Sequence, residues 1–325
     1  MGTVAVVLCN FNHGKYLPES LGHICRQTRA ADQILVIDDG STDDSWRIIE
    51  TFAHEYSNLQ ALANERNLGL EASIAKALRL VHCDYLVWTA ADDRLLPSFL
   101  ERNMEVLARY PGAALSFSEV VVLKGDTEKI DRFSANPAAP RNFYLGGLPA
   151  YLSPDRLRGR MKDGYLPIAS NTAVIRLDML MGFGGFPAPL RWFADSFTCT
   201  ALAMRHGACV LAEPLALIRS RPESYSQTMR NVPQQTQVLN ALLELLAQPE
   251  LRDVRAFMKE CPSNLTVYDP LLLKVLARKP RDWDVFVAYG LWKLREYATR
   301  QRYRARHGGA QLWSTARKIW HRTES

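Results

Sequence analysis

The first 120 residues alternate short apolar runs with stretches whose apolar positions recur every three or four residues. Val4 to Cys9, Ile34 to Ile37, Leu59 to Ala63, Tyr85 to Thr89 and Ala113 to Phe117 have the length of buried strands. Between them lie helical patterns through Trp46, Ile49 and Phe52, through Ile74, Leu78 and Val81, and through Leu100, Met104 and Leu107. Pro18 and Pro97 can each open a helix, because the N–H they lack has no partner in a first turn. Ser41 and Thr42 are N-cap candidates, Asn67-Leu68-Gly69 is a turn, and Pro111-Gly112 ends a helix. Strand–helix alternation with short connections predicts an α/β fold, a mainly parallel sheet with helices on both faces.

The pattern weakens from about Lys124 to Leu166, where Gly, Pro and Asn recur, and an irregular segment is expected there, suited to a lid or binding loop. Thr172 to Arg176 predicts a strand, the glycine-rich MGFGGFPAP a loop, Asp195 to His206 a helix, and Cys209 to Leu211 and Leu215 to Arg219 two more strands. From Pro233 the text is helical, with one apolar stripe at Val238, Leu239, Leu242, Leu243 and Leu246. A second holds Trp283, Phe286, Val287, Leu291 and Leu294, and a third Leu312, Trp313, Ala316, Ile319 and Trp320. The expected division is an α/β domain over 1–230 and a helical, basic appendage over 231–325.

Charge sharpens that division. The chain carries +6 overall, but residues 293–325 hold nine Lys/Arg against Glu296 and Glu324, so the basic character belongs to the tail. No apolar run reaches membrane-spanning length, and the N-terminus lacks a basic segment ahead of its short apolar run, so neither a transmembrane helix nor a signal peptide is expected. Six scattered cysteines without a C-x-x-C pair suit reduced thiols. The expected location is therefore cytoplasmic.

Three acidic positions stand where ligands of open α/β sheets gather, at the carboxyl ends of strands. Asp38-Asp39-Gly40-Ser41-Thr42-Asp43 joins a strand end to a helix start; its carboxylates are read first as acceptors for a base or ribose, with an ordinary capped turn as the alternative. Asp92-Asp93 follows the strand YLVW; adjacent carboxylates repel unless a cation joins them, although a solvated turn paired with Arg94 is the simpler account. Asp195 opens a helix, either as a cap or as a reactive carboxylate.

Taken in order, VVLCNFNHGKYLPESLGHICRQT, ILVIDDGSTDDS, NLGL and YLVWTAADDRLLP resemble glycosyltransferase family 2, which has the GT-A fold. The resemblance runs over about residues 3 to 226 and takes in FGGFPAPLRWFADSF and LIRSRPESYSQ. It implies an inverting transfer of one sugar from a nucleotide-diphosphate donor, usually a UDP-sugar, to a glycan or lipid-linked acceptor, as in surface polysaccharide synthesis. It implies that Cys9, Asn10 and Phe11 contact the nucleotide, that Asp39 reads the base and that Asp92 lies near the ribose. Asp93 is then the ligand of Mn²⁺ or Mg²⁺, and Asp195 the general base. Arg221 stands where many relatives carry His and is expected to clamp the diphosphate, since guanidinium cannot act as a base.

The chain departs from the family pattern at Ala75, Ala90 and Ala194, and Ala188 replaces the glutamine of the polymerising members. The last departure favours single-sugar transfer. The first three motivate an alternative, a degenerate member that binds nucleotide sugar or glycan without turnover. For the tail, attachment to an anionic membrane at its inner face and packing of the stripes on the catalytic domain both remain open. No nucleic-acid-binding motif is present, so no nucleic-acid partner is expected.

Overall fold

The structure, a computed structural model, describes residues 2–125, 130–132, 145–162, 166, 168–221, 231–269, 271–299 and 301. The chain forms two compact units, 1–254 and 255–325.

The first unit is built on one ten-stranded sheet. In chain order its elements begin with β1 (Val4–Asn10), α1 (Leu17–Cys25), β2 (Gln33–Asp38), α2 (Ser45–Glu55), β3 (Leu59–Ala63), α3 (Leu70–Leu78) and β4 (Tyr85–Ala90). There follow β5 (Arg94–Leu95), α4 (Phe99–Arg109), β6 (Leu115–Lys124), β7 (Ile130–Arg132), β8 (Tyr151–Leu152) and α5 (Pro154–Lys162). The unit continues with β9 (Ala173–Arg176), α6 (Leu177–Phe183), α7 (Ala194–His206), β10 (Ala208–Ser220) and α8 (Val232–Leu246). The sheet order is β3-β2-β1-β4-β9-β6-β10-β5, with β7 beside β6 and β8 beside β10.

The parallel pairs β1–β2, β1–β4, β2–β3 and β6–β10 carry the longer registers, so the mainly parallel expectation holds. The strand Thr172 to Arg176, however, enters as an antiparallel spacer between β4 and β6. Strand order reverses at β1, which has β2 on one side and β4 on the other. That reversal opens a crevice beyond the carboxyl ends, where the acidic motifs lie.

Period-2 alternation assigns the core. Val4, Val6 and Leu8 of β1, Ile34 and Val36 of β2, and Val87 of β4 pack with Leu17, Leu21 and Ile24 of α1, Ile49 of α2 and Phe99, Leu100 and Met104 of α4. The intervening Ala5, Val7, Leu35, Ile37 and Leu86 face the other way and are buried as well. There α3 lies against β1 and β2, and α7 against β6. A sheet covered on both faces has strands that read as continuous apolar runs, as these do.

The irregular segment expected over 124–166 contains β7, β8 and α5 among its described residues. The two strands expected at Cys209 to Leu211 and Leu215 to Arg219 are one strand, β10, whose register against β6 shifts on either side of Pro214. The first compact unit extends past residue 230 because α8 packs on the 3-10 helix Ala188–Phe193 through the buried stripe Val238, Leu239, Leu242, Leu243 and Leu246.

The second unit contains the rest of a helix that starts at Arg252 (Arg252–Glu260), the 3-10 turns Pro262–Tyr268, a helix over Leu271–Leu276 and a helix over 283–299. No helix among the described residues is long and apolar enough to cross a membrane. The stripe through Leu312 and Trp320 lies outside the described residues.

Candidate active site

The site begins with the turn after β2. Asn10 and Asp38 are register partners at the ends of β1 and β2. Asn10 Nδ2 donates to Asp38 Oδ1 (2.6 Å) and to Ser41 Oγ (3.1 Å), and the Ser41 N–H and hydroxyl donate to the same carboxylate. Asp38 is therefore the fastener of its own turn. Asn10, expected to touch nucleotide, is 2% exposed, and its Oδ1 has no partner among the described residues.

Asp39 points the other way. Asn64 Nδ2 (2.8 Å) and the Leu68 N–H (2.9 Å) donate to its Oδ1, and the Gly69 N–H (2.9 Å) to its Oδ2. The NLG turn is thereby folded around this carboxylate. Gly40 makes the approach possible: its φ is +73°, and a Cβ there would stand 2.5 Å from the Arg66 carbonyl carbon. Of the other two residues expected to contact nucleotide, Phe11 is 41% exposed at the rim, while Cys9 is partly buried at the end of β1. Burial, then the charge of Asp39, raises the Cys9 thiol pKa, so it stays protonated.

The second acidic turn leaves β4 beside the end of β10. Asp93 is 3% exposed and both its oxygens are taken: the Arg219 N–H donates to Oδ1 (2.9 Å) and Asn171 Nδ2 to Oδ2 (2.7 Å). Burial first, then the neighbouring Asp92 charge, pushes its pKa up to about 7, against the pull of the two donors and the Arg219 charge. Arg219 itself is buried and locks the turn: Nε donates to the Asp92 carbonyl (3.1 Å), Nη1 to the Gly125 carbonyl (2.8 Å), and Nη2 pairs with Glu19 of α1 (3.0 Å). Arg94, the partner in the alternative account of the acidic turn, pairs with the other oxygen of Glu19 (2.7 Å).

Asp92 is held by Arg221, whose Nε (3.1 Å) and Nη2 (2.8 Å) both donate to its Oδ2. Arg221 Nη2 also lies 3.0 Å from His13 Nε2, and its guanidinium sits 4.7 Å from the centre of the Tyr16 ring. Burial lowers the His13 pKa, the Asp92 charge opposes that and Arg221 reinforces it. A neutral ring with an unprotonated Nε2 accepts from Arg221.

Asp195 lies in the first turn of α7, after a backbone reversal at Arg191, whose φ is +46°. Its Oδ2 accepts from the Ser170 hydroxyl and its Oδ1 from the Ser196 N–H (2.7 Å). Burial raises its pKa despite those donors. Ser170 and its neighbour Asn171 thus hold Asp195 and Asp93, two carboxylates 102 positions apart, from one 3-10 turn, Ser170–Thr172. Sequence reasoning missed both residues, as it missed Arg219 and His13. Ser170 and Asn171 lie in IASNTAV, which has no pattern to mark them.

A divalent ion expected at Asp93 would share that carboxylate: each Asp93 oxygen already accepts one N–H, and Asp92 Oδ2 accepts from a guanidinium. No group of three or more His, Cys, Asp or Glu side chains that could hold a metal lies among the described residues, so a metal here would depend on one or two carboxylates and the donor's phosphates.

Residues 5–163 match the model of glycosyl transferase family 2. This segment is a family 2 glycosyltransferase domain. Over 98 residues the chain is 34% identical to the cholesterol galactosyltransferase of Borreliella burgdorferi, a match spanning 30% of this chain and 27% of that one. Over 112 residues it is 30% identical to the glycosyltransferase GlyG of Streptococcus pneumoniae, spanning 32% and 37%. The chain thus spans between a quarter and two fifths of these curated relatives. Among solved structures it is similar to S. aureus TarS 1–349 in complex with UDP-GlcNAc (TM-score 0.61, 15% identity, 89% of this chain and 80% of that one). It is also similar to the mannosyltransferase PcManGT of Pyrobaculum calidifontis, solved with GDP-Man and Mn²⁺ (TM-score 0.53, 20% identity, 90% and 85%). At these identities the likeness establishes the fold, which is GT-A.

Proposed function

We propose that this chain transfers a single sugar, with inversion, from a nucleotide-diphosphate donor, a UDP-sugar first, to a hydroxyl of a glycan or lipid-linked acceptor in surface polysaccharide synthesis. The observation that carries this reading is that β2 and β4 flank β1 in parallel and carry Asp39 and Asp92-Asp93 just past their carboxyl ends, with Asp195 linked to Asp93 through the neighbours Ser170 and Asn171. In this reading the base lies near Asp39, at the carboxyl end of β2. The acceptor hydroxyl attacks the anomeric carbon, the bond from that carbon to the diphosphate breaks, and the nucleoside diphosphate leaves with the bond's electrons. The hydroxyl proton passes to Asp195, whose raised pKa makes it a stronger base than a solvated aspartate. The names of the two structural neighbours' ligands, UDP-GlcNAc and GDP-Man, guide the choice of donors.

The test is release of nucleoside diphosphate from UDP-Gal, UDP-GlcNAc and GDP-Man. One donor should be turned over, and Asp195→Ala should slow that turnover by about 10²-fold or more. The wild-type rate should fall on acidification at a pH above the ordinary aspartate range, because Asp195 must be ionised to act. No release from any donor, with nucleotide binding intact, favours the non-catalytic alternative.

A second reading concerns the tail. On the helix over 283–299, Trp283, Val287, Leu291 and Leu294 are each more than half exposed at helical spacing. That stripe supports peripheral attachment of 280–325 to an anionic membrane. It also suits an acceptor that lies in a membrane, as cholesterol, which the Borreliella relative's name gives, would.

A further inference from the structure

The guanidinium of Arg221 grips Asp92 Oδ2, next in sequence to Asp93, where a divalent ion is expected. We propose that Arg221 replaces the metal in this chain, so that the donor diphosphate is bound and its leaving charge countered by a fixed guanidinium. The inference rests on the nucleotide-sugar reading above and names the cation that serves it.

Three observations carry it. First, the cation is built in. Two nitrogens of Arg221 grip one oxygen of Asp92 at 2.8 and 3.1 Å, the Tyr16 ring lies 4.7 Å from its centre, and His13 Nε2 stands 3.0 Å from Nη2. A guanidinium oriented from several sides is preorganised, and its planar fork matches phosphate oxygens. Second, the alternative cation is poorly served. Asp93 is 3% exposed with an N–H on each oxygen, and these donors come from the backbone of β10 and from Asn171. A metal there would share each oxygen with an N–H donor instead of having the carboxylate to itself. Third, charge is already balanced in the turn. Arg219 stands 4.9 Å from the same Tyr16 ring and pairs with Glu19, so two fixed positive charges flank Asp92-Asp93. With the carboxylates of the turn already countered in this way, a divalent ion gains less attraction there than at an unpaired acidic pair.

The position of Arg221 follows from the fold. It lies just past the carboxyl end of β10, parallel to β6, on the edge that presents Asp92. Arg219 and Arg221 are two positions apart, so in extended backbone they share a face.

The experiment is calorimetric titration of the full chain with UDP and with GDP, in EDTA and again in Mn²⁺. It is run on wild type, Arg221→Ala and Arg221→Lys, with far-UV circular dichroism and melting temperature confirming that each variant folds. One nucleotide should bind wild type with the same affinity in EDTA and Mn²⁺. Arg221→Ala should weaken binding in EDTA by about tenfold or more, and Arg221→Lys, which keeps the charge but loses the fork, by less. Binding that requires Mn²⁺ in wild type overturns the inference and leaves the nucleotide-sugar reading standing. Equal binding by wild type and Arg221→Ala in EDTA also overturns it. No binding of either nucleotide under either condition overturns the underlying reading, and the inference with it.

Discussion

Asp93 sets the residue scale, because its environment reverses the usual dependence of stability on pH. An aspartate ionises near pH 3.9 in an unfolded chain, and burial beside Asp92 pushes Asp93 up to about 7 in the fold. Between those values the folded state holds a proton that the unfolded state has lost. Its contribution therefore favours folding at acid pH and declines as pH rises through about 4 to about 7. Asp93→Asn removes the titration while paying a pH-independent cost, since its amide presents an N–H to one of the two present donors. The difference in unfolding free energy between wild type and variant should therefore move in the variant's favour from pH 5 to pH 8. Denaturant titrations at the two pH values measure it, and a difference that does not change with pH would mean that Asp93 is ionised throughout. Asp39 and Asp93 were legible in the sequence because each sits in a local signal, a strand end followed by a turn. Their partners were not. Asn64 binds Asp39 across 25 positions and Asn171 binds Asp93 across 78, and an isolated asparagine carries no mark of either.

At the scale of elements, the site is held by a joint between α1, β5 and β10. Glu19 of α1 receives Arg94 from β5 (2.7 Å) and Arg219 from β10 (3.0 Å). The side chain of Arg219 is 4% exposed and that of Glu19 38%, so the pair is half screened. Glu19→Gln should destabilise the fold by about 1–2 kcal/mol, less than a fully buried pair would lose, because water can partly replace the carboxylate. Urea unfolding reads the change, and an unaltered midpoint would show that the joint contributes nothing. The strands with long apolar runs were legible as elements. The two- and three-residue strands β5, β7 and β8 were not, because a run that short has no period. Helix α5 was also missed: in PDRLRGRMK only Leu157 and Met161 are buried, one apolar pair in nine residues. Pro214 split β10 in the sequence, yet the chain bends through it and continues pairing with β6 up to Ser220. That continuation is what delivers Arg219 to Asp93 and places Arg221 beyond it.

For the whole molecule, the division of charge and of apolar surface between the two units bears on the proposed attachment to a membrane. Within the second unit the helix over 283–299 buries Val285 and Tyr289 and is pinned by ion pairs of Arg255 with Asp282 (3.0 Å) and Asp284 (2.5 Å), and of Lys259 with Asp284 (3.1 Å). Its outward stripe at Trp283, Val287, Leu291 and Leu294 is therefore displayed on an anchored helix. Isolated exposed apolar residues need no account, but four on one helical face, in a sequence whose residues 293–325 carry +7, are the combination expected of the proposed attachment to an anionic interface. The sequence showed this stripe and left open whether it packs or stays exposed; periodicity gives a face its polarity and says nothing of what covers it. Flotation with vesicles of mixed neutral and anionic lipid decides the matter. Val287→Ser, Leu291→Ser and Leu294→Ser together change exposed positions, so the fold should survive, while vesicle affinity should fall by about tenfold or more. Raising the salt should release the wild type, because the basic part of the attraction is screened. Equal flotation of wild type and triple variant would remove the stripe from the membrane reading. Loss of flotation alongside unchanged donor hydrolysis in solution would show that the tail brings the active site to its acceptor without entering the chemistry.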